Sequence, residues 1–299
     1  MSLIESALER LRRVGEPGAA RASATVAAPR AVATAASVKA PAVVIAPPRE
    51  YAHKRIAIDE KALRTAGYLP AEGLERRFAD HYRQIKRPLI DKAFSGAPEL
   101  RLVLVSSALP GDGKTFTSFN LALSMARERD LSVLLVDADT PRGRISEVLG
   151  IRTERGLTDA LADESLDVES LIVQTDVRGL EILPAGKFLD SAPELLASAR
   201  MDQIAVRLAT RAARGLVLFD SAPLLVSSEA RALLRVPGQV VLVVRVGVTP
   251  RQAAAEAAGH IDKKKLQGLI LNQATFTNAG GYYGYASYGE SGDATYPVE

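Results

Sequence analysis

The chain has 299 residues, 47% of them hydrophobic, which is enough for one sizeable α/β domain with extensions. It contains no cysteine, which excludes disulfides, thiolate metal sites and cysteine nucleophiles. The net charge of +3 is uneven, because residues 1–55 hold nine Lys and Arg against four acids, which is +5 and leaves −2 for the rest. Such a basic arm does not predict nucleic-acid binding. Because the sequence shows neither an apolar run of membrane-spanning length nor a signal-peptide pattern, we expect a cytoplasmic protein.

The two ends of the chain differ in composition from its middle. Residues 1–14 are predicted to form an amphipathic helix that docks onto a partner or a membrane surface, or frays in solvent. Residues 15–56 are rich in Ala and Pro with few large side chains, which predicts a disordered linker. We expect a folded domain over residues 57–275 and a Tyr- and Gly-rich tail over residues 276–299.

From about Arg101 onward, apolar runs of strand length alternate with helical patterns. This alternation predicts an α/β fold with a doubly wound, mostly parallel sheet and helices on both faces. Together with the glycine-rich segment described below, it predicts a fold of the P-loop NTPase type. A helix is also expected over Leu74–Phe94, with a kink or break at Pro88. The predicted strands are Leu102–Ser106, Ser132–Val136, Leu180–Leu183, Gly215–Phe219, Gln239–Val244 and Gly268–Leu271. The predicted helices in this part are Lys114–Arg129, Ser198–Arg214 and Pro250–Ile261.

A glycine-rich segment, Ser106–Thr115, joins the first of these strands to the first helix and has the form of a phosphate-binding loop (the P-loop). Gly111 and Gly113 would let backbone N–H groups curl around a phosphate at the helix N-terminus. Lys114 would reach the β- and γ-phosphates, and the Thr115 hydroxyl would bind Mg²⁺. The alternative is a strand-to-helix turn with a chance Gly-Lys-Thr. We therefore predict ATP and Mg²⁺ as cofactors, with contacts from Gly111, Asp112, Gly113, Lys114, Thr115 and Phe116.

Three carboxylates follow buried strands. Asp137 and Asp139 end the run Leu-Leu-Val-Asp-Ala-Asp, and Asp220 ends Val-Leu-Phe-Asp. The carboxyl ends of parallel strands face the ligand crevice, so these acids should converge near the γ-phosphate beside Lys114. A single Asp at a strand end is often only a helix cap, but three beside a P-loop favour catalysis. Asp220 is expected to hold Mg²⁺ together with Thr115. Spacing leaves the other two roles open, and our working assignment is Asp137 as base and Asp139 as metal ligand.

The ordered set of Ser-Ala-Leu-Pro-Gly-Asp-Gly-Lys-Thr, Leu-Leu-Val-Asp-Ala-Asp and Val-Leu-Phe-Asp-Ser-Ala-Pro resembles the bacterial tyrosine kinases (BY-kinases). Members of that family carry Walker A, A′ and B motifs in this order and end in a tyrosine cluster. The resemblance covers about Phe78 to Tyr288 and the first dozen residues. The chain looks most similar to the soluble subgroup of exosortase-associated (PEP-CTERM) exopolysaccharide loci, on the basis of Met1–Glu5, Tyr82–Pro88 and Leu271–Ala274.

The resemblance implies autophosphorylation in trans within a homo-oligomer, which is a ring in relatives. It implies a role in exopolysaccharide synthesis or export and activation by an integral-membrane polysaccharide chain-length (co-polymerase) protein, which would recruit the chain to the inner face of the plasma membrane. A tyrosine phosphatase is a further implied partner. Five of the eight tyrosines lie in the last eighteen residues. The alternative is an aromatic tail used for adhesion. The implied phosphoacceptors are Tyr282, Tyr283, Tyr285 and Tyr288.

The sequence departs from the family pattern in several places. Pro141 occupies a position where relatives commonly carry Arg, so that role would pass to Arg142 or Arg144. The third box reads Ser-Ala-Pro instead of the more usual Thr-Pro-Pro or Ser-Pro-Pro. In the oligomerisation helix, only Arg87 matches the Glu and two Arg of relatives, and the other two positions hold His81 and Gln84.

Two other functions fit parts of this pattern. One is a partitioning or septum-positioning ATPase of the ParA or MinD type, but that class carries a lysine where this chain has Leu109. The other is a non-catalytic regulatory subunit that binds ATP within a polysaccharide assembly, with which the altered second and third boxes are compatible.

Overall fold

Eight strands form one sheet at the centre of the protein, for which the computed structural model describes residues 51–274. The strands are β1 (Arg55–Ile56), β2 (Leu102–Ser107), β3 (Ser132–Ala138), β4 (Val173–Thr175), β5 (Leu180–Leu183), β6 (Gly215–Ser221), β7 (Gln239–Arg245) and β8 (Leu266–Asn272). Their order across the sheet is β1-β4-β5-β3-β6-β2-β7-β8. All neighbours are parallel except β4 and β5, which run antiparallel. The predicted P-loop fold class is confirmed.

Helices lie between most of the strands. They are α1 (Glu60–Thr65), α2 (Glu75–Ala93), α3 (Lys114–Ala126), α4 (Arg144–Val148), α5 (Leu157–Ala162), α6 (Ala192–Leu196), α7 (Ala199–Thr210), α8 (Ser228–Leu233) and α9 (Arg251–Gly259). Two short 3₁₀ helices occupy Pro98–Arg101 and Val168–Leu171. Among these described helices, none is both long and apolar enough to cross a membrane.

Two apolar layers lie on opposite faces of the sheet, so its central strands are apolar along their length. Successive residues of β3 enter opposite layers. Leu134 belongs to the layer shared with α7, and Leu135 belongs to the layer shared with α3. Because side chains alternate along a strand, Asp137 and Asp139 continue the Leu135 face. The core therefore brings both acids to the face that α3 covers.

The predicted elements agree with the structure in most places. All six predicted strands are present, with ends within two residues of the prediction, and the three predicted helices end two to four residues early. The predicted break at Pro88 is wrong, because α2 runs through it from Glu75 to Ala93. Pro88 itself is exposed, whereas its neighbours Leu89 and Ile90 are buried. Packing of these side chains holds the helix together despite the lost backbone hydrogen bond.

The folded part begins earlier than the sequence suggests. Arg55 and Ile56, which fall inside the predicted linker, pair as β1 with Gln174 and Thr175 of β4. That end of the linker prediction is wrong, because a two-residue strand has no periodicity that could reveal it. The predicted helix over residues 1–14, the linker up to residue 50 and the tail over residues 276–299 lie outside the described residues.

Candidate nucleotide and phosphoryl-transfer site

The P-loop forms a tight curl between β2 and α3. Gly111 and Gly113 have φ angles of +85° and +95°, a region that glycine enters without strain. At Gly113 there is also no room for a side chain, since a Cβ there would lie 1.9 Å from Nδ2 of Asn272. The curl leads directly into α3, whose first N–H groups have no partners within the helix. The local geometry is thus that of an anion-binding loop.

The carboxylate of Asp112, a predicted nucleotide contact, is used inside the loop. It is buried, and its Oδ2 accepts a hydrogen bond from the backbone N–H of Leu109 at 3.0 Å. Its Oδ1 accepts one from the hydroxyl of Thr249 at 2.6 Å. The side chain therefore stabilises the loop, and a contact of Asp112 with a phosphate is left to its backbone.

Lys114 and Asp139 form a buried ion pair. The ammonium Nζ lies 2.9 Å from Oδ2 of Asp139, and the two side chains are only 10% and 1% exposed. Lys114 is the first residue of α3, and Asp139 follows the last residue of β3. The pair directs the lysine side chain toward the carboxyl edge of the sheet, where the other acids lie.

The two carboxylate oxygens of Asp137 differ in their hydrogen bonding. Its Oδ2 accepts hydrogen bonds from the backbone N–H and the hydroxyl of Ser146, at 2.8 and 2.7 Å. Its Oδ1 is buried and has no hydrogen-bond partner within the described part of the chain. Burial and then the nearby negative charge of Asp220 raise the pKa of Asp137 to about 7, although the bonds from Ser146 act in the opposite direction. This carboxyl can therefore exchange a proton near neutral pH.

Asp220 lies beside Asp137 on the neighbouring strand, where the two residues are direct partners in the β3–β6 register. Its Oδ1 accepts a hydrogen bond from the Ser118 hydroxyl of α3 at 2.9 Å. Burial raises the pKa of Asp220 to about 6, and the charge of Lys114 and the nearby hydroxyl groups of Thr115 and Ser118 oppose that rise. Two carboxylates and a lysine thus share one low-dielectric edge.

The buried oxygens at this edge fit a magnesium–phosphate ligand. Among residues 51–274, Oδ1 of Asp137, Oγ1 of Thr140 and Oδ2 of Asp220 have no hydrogen-bond partner, an arrangement that costs free energy unless a ligand completes it. Oxygen donors are what Mg²⁺ prefers. Within residues 51–274, no three acidic or histidine side chains could hold a metal by themselves. Mg²⁺ does not need such a cluster, because it usually takes most of its ligands from phosphates and water.

An apolar groove of about 830 Å³ adjoins the P-loop, between α2 and β8. The ring of Phe116, a predicted nucleotide contact, lies in this groove and packs edge-on against Phe78 with 5.9 Å between ring centroids. Leu269 and Leu271 of β8 line the same groove and are about half exposed. A smaller cavity of about 440 Å³ lies between residues 164–168 and α7 and contains none of the predicted site residues.

The structure brings most of the predicted residues together and leaves others apart. The P-loop, Lys114, Thr115 and the three acids meet at the carboxyl edge of β2, β3 and β6. Arg142 and Arg144 are exposed, and Arg144 pairs with Glu147 on the surface of α4. The predicted phosphoacceptor tyrosines lie outside the described residues. Three residues of the site carry no motif by which the sequence alone could identify them, namely Ser118, Ser146 and Thr249. A fourth, Asn272, lies in the segment Leu271–Ala274, which indicated the family resemblance but not a role at the site.

Comparison with known proteins agrees with the fold described above. A family model described as an AAA domain matches residues 101–262, over half of the chain. Tyrosine-protein kinase YwqD of Bacillus subtilis is 32% identical over 190 residues, which are 62% of this chain and 78% of that protein. The chain belongs to the bacterial tyrosine-protein kinase family.

Other members of the kinase family differ in length. Tyrosine-protein kinase wzc of Salmonella typhimurium is 31% identical over 199 residues, 64% of this chain, and the match spans only 27% of wzc. The kinase domain of Escherichia coli tyrosine kinase ETK has the same fold, with a TM-score of 0.60 and 23% identity. That comparison covers 77% of this chain and 94% of the ETK domain. The kinase fold is therefore shared by relatives of very different total length.

Proposed function

We propose that this kinase transfers the γ-phosphoryl group of ATP, in the presence of Mg²⁺, to tyrosines of its own C-terminal cluster in a neighbouring copy. The observation that carries the proposal is Asp137, a buried carboxyl with one unpartnered oxygen and a pKa raised to about 7, beside Asp220 and the P-loop lysine. A group that titrates near neutral pH is suited to accept a proton from an attacking hydroxyl.

The P-loop and Lys114 would bind the phosphates of ATP. The backbone N–H groups around Gly111 and Gly113 and the N-terminus of α3 favour negative charge. The ammonium group of Lys114 is paired with Asp139 in the structure. Phosphate oxygens would replace that carboxylate as partners of the ammonium group, so the lysine remains paired when the substrate is bound.

The metal would be held beside the ion pair. Thr115, Asp139 and Asp220 are the residues we assign to Mg²⁺, directly or through water, and Asp220 and Thr115 lie side by side at this edge. Mg²⁺ held by these residues would offset the negative charge of the ATP phosphates. Release of Asp139 from Lys114 would leave a buried carboxylate in need of a new cationic partner.

Asp137 would act as the general base. Ser146 fixes its Oδ2 through two hydrogen bonds, which leaves Oδ1 to accept the proton of the tyrosine hydroxyl. Its neighbour Asp220 raises the pKa of Asp137 further through its negative charge. Binding of cations at Asp220 would reduce that effect and set the pKa of the base in the loaded enzyme.

The cellular role follows from the resemblance described above. We infer that Tyr282, Tyr283, Tyr285 and Tyr288 are the phosphoacceptors, that the chain assembles into a homo-oligomer, and that it belongs to the exosortase-associated subgroup. A membrane co-polymerase would activate it at the inner face of the plasma membrane, and a tyrosine phosphatase would reverse the reaction. Regulation of exopolysaccharide synthesis or export is the proposed outcome. The tyrosine-rich composition of the last eighteen residues supports this acceptor assignment.

Mass spectrometry of the purified full chain after incubation with MgATP tests the proposal. We expect phosphate on the tail tyrosines of the wild type and none on Lys114→Met alone. The matched control is Lys263→Met, which removes an exposed lysine and should leave labelling unchanged. A chain that lacks residues 276–299 but keeps Lys114 should phosphorylate added Lys114→Met chains, which would establish transfer in trans.

Two other outcomes would overturn the proposal. Steady ATP hydrolysis without phosphotyrosine would indicate a partitioning-type ATPase. Nucleotide binding with neither activity, including in the presence of a co-polymerase fragment, would indicate a regulatory subunit.

A further inference from the structure

Two residues from parts of the chain that carry none of the proposed catalytic acids contact the P-loop. Thr249 follows β7, and Asn272 is the last residue of β8. Both donate a hydrogen bond to Asp112 at the centre of the loop. We propose that Thr249 and Asn272 are positioning residues that keep the P-loop in its phosphate-binding curl. The inference rests on the proposed function, because it concerns the same nucleotide site.

Thr249 acts on the carboxylate of Asp112. Its hydroxyl donates to Oδ1 of Asp112 at 2.6 Å and accepts from the backbone N–H of Arg245 at 3.0 Å. The other carboxylate oxygen of Asp112 accepts from the N–H of Leu109 at 3.0 Å. The start of the loop is thereby connected, through one buried side chain, to the end of β7.

Asn272 acts on the backbone of Asp112. Its Nδ2 donates to the carbonyl oxygen of Asp112 at 2.9 Å, and its Oδ1 accepts from the N–H of Gln273 at 3.0 Å. Gln273 has a φ of +56°, the one non-glycine positive φ within residues 51–274. An Asn272 side chain bonded at both of its ends has little freedom to turn away from the loop.

The hydrogen bond from Asn272 also sets the direction of an N–H group. The carbonyl of Asp112 and the N–H of Gly113 belong to one planar trans peptide, so they point in opposite directions. Fixing the carbonyl toward Asn272 therefore aims the Gly113 N–H away from it, on the side where the loop curls. At the same time, Asp112 occupies the N–H of Leu109. The hydrogen bonds of Asp112 with Asn272, Thr249 and Leu109 thus determine which N–H groups of the loop remain free to bind a phosphate.

The space at Gly113 shows how closely the side chain of Asn272 approaches the loop. A Cβ on this residue would lie 1.9 Å from Nδ2 and 3.1 Å from Cγ of Asn272. A Cβ on Gly111, which has a similar φ of +85°, would meet nothing within 4 Å. The close approach is therefore confined to the residue whose peptide group Asn272 binds. Such a close contact is expected where a side chain packs against a backbone segment and limits its movement.

The test measures the affinity of the full chain for MgATP and for magnesium tripolyphosphate, which has no base. The variants are Thr249→Val, Asn272→Ala and the conservative Thr249→Ser. We expect each of the first two to weaken binding of both ligands by about tenfold, the usual effect of one lost hydrogen bond. Thr249→Ser should restore wild-type affinity. Thr210→Val is the matched control, because its hydroxyl bonds only to carbonyls of its own helix, α7.

The outcomes separate this inference from the proposed function. Wild-type affinity of both variants for both ligands would overturn the inference alone. A loss seen with MgATP but not with tripolyphosphate would also overturn it, since Asn272 or Thr249 would then act on the nucleoside. Failure of the wild type to bind MgATP would overturn the proposed function and the inference together. Circular dichroism of each variant, and the Thr249→Ser rescue, distinguish a loosened loop from a misfolded chain.

Discussion

The interior of strands β3 and β6 is as deeply buried as their carboxyl ends. Burial stabilises the fold in the interior, but it opposes ionisation of the acids at the ends. Leu135 and Leu218 are fully buried neighbours in the sheet, and removing them from water stabilises the fold. Two residues further along, Asp137 and Asp220 are just as buried and also direct neighbours. Their burial opposes ionisation and leaves one oxygen of each without a partner. One pair of strands thus carries both a part of the core and two acids of the proposed active site.

This difference indicates that the interior residues of β3 and β6 determine stability, whereas the acids at their carboxyl ends determine the proposed activity. A substitution in the interior should reduce the free energy of unfolding and spare catalysis. A neutralising substitution at the carboxyl end should do the reverse, because it removes a buried charge that the fold tolerates only for function. Three measurements test this contrast.

The largest expected effect is that of Asp137→Asn. The rate of tyrosine phosphorylation should fall by about 10²–10⁴, the usual contribution of a general base. The free energy of unfolding at pH 8 should rise by on the order of 1–3 kcal/mol, because the amide has no charge to bury. Urea unfolding and initial-rate assays measure the two quantities. Asp80→Asn, on the exposed face of α2, is the control and should change neither. A loss of stability in Asp137→Asn would contradict the comparison.

Leu135→Ala should lower the stability of the protein and leave the phosphorylation rate nearly unchanged. Deleting this fully buried side chain leaves a cavity in the layer beneath α3 and should lower the free energy of unfolding by about 2–5 kcal/mol. The rate per folded molecule should stay within about twofold of the wild type, measured below the unfolding transition. Val206→Ala, at an exposed position of α7, should cost less than about 0.5 kcal/mol. Equal damage from both substitutions would show that burial at Leu135 is not what stabilises β3.

The smallest expected effect is the pH dependence. The phosphorylation rate should rise about tenfold per pH unit below pH 7 and level off above it, as Asp137 loses its proton. Stability should move the other way. A raised carboxyl pKa makes a contribution that is present at about pH 4 and below and is lost as the pH rises to about 7. In Asp137→Asn, the rate should not rise with pH below pH 7. If it still rises, the titrating group is a residue other than Asp137.

Much of the site could be predicted because its main residues follow local rules. An apolar run that ends in Asp places a carboxylate at a strand end, and Gly-Asp-Gly-Lys-Thr before a helical pattern places Lys114 at a helix N-terminus. Convergence of Asp137, Asp139 and Asp220 then requires that the sheet be parallel and that β3 and β6 be neighbours in it. The continuous helix through Pro88 could not be predicted, because packing of Leu89 and Ile90 outweighed a local preference.

The side chains that donate hydrogen bonds to Asp137 and Asp112 could not be predicted, because they come from other parts of the chain. Ser146 binds Asp137 after a turn, Thr249 reaches Asp112 across 137 residues, and Asn272 reaches it across 160. Single Ser, Thr and Asn residues carry no pattern, and their role depends on which strand ends the topology makes adjacent.

The amino-acid sequence by itself determined that this chain forms a parallel sheet with a phosphate-binding loop and three acids at its carboxyl edge, because hydrophobic periodicity and glycine placement act over a few residues. Only the tertiary structure decided which acid is poised to accept a proton and what holds the loop. Both depend on burial and on hydrogen bonds that form once the fold brings donor and acceptor atoms from distant parts of the chain within about 3 Å of one another.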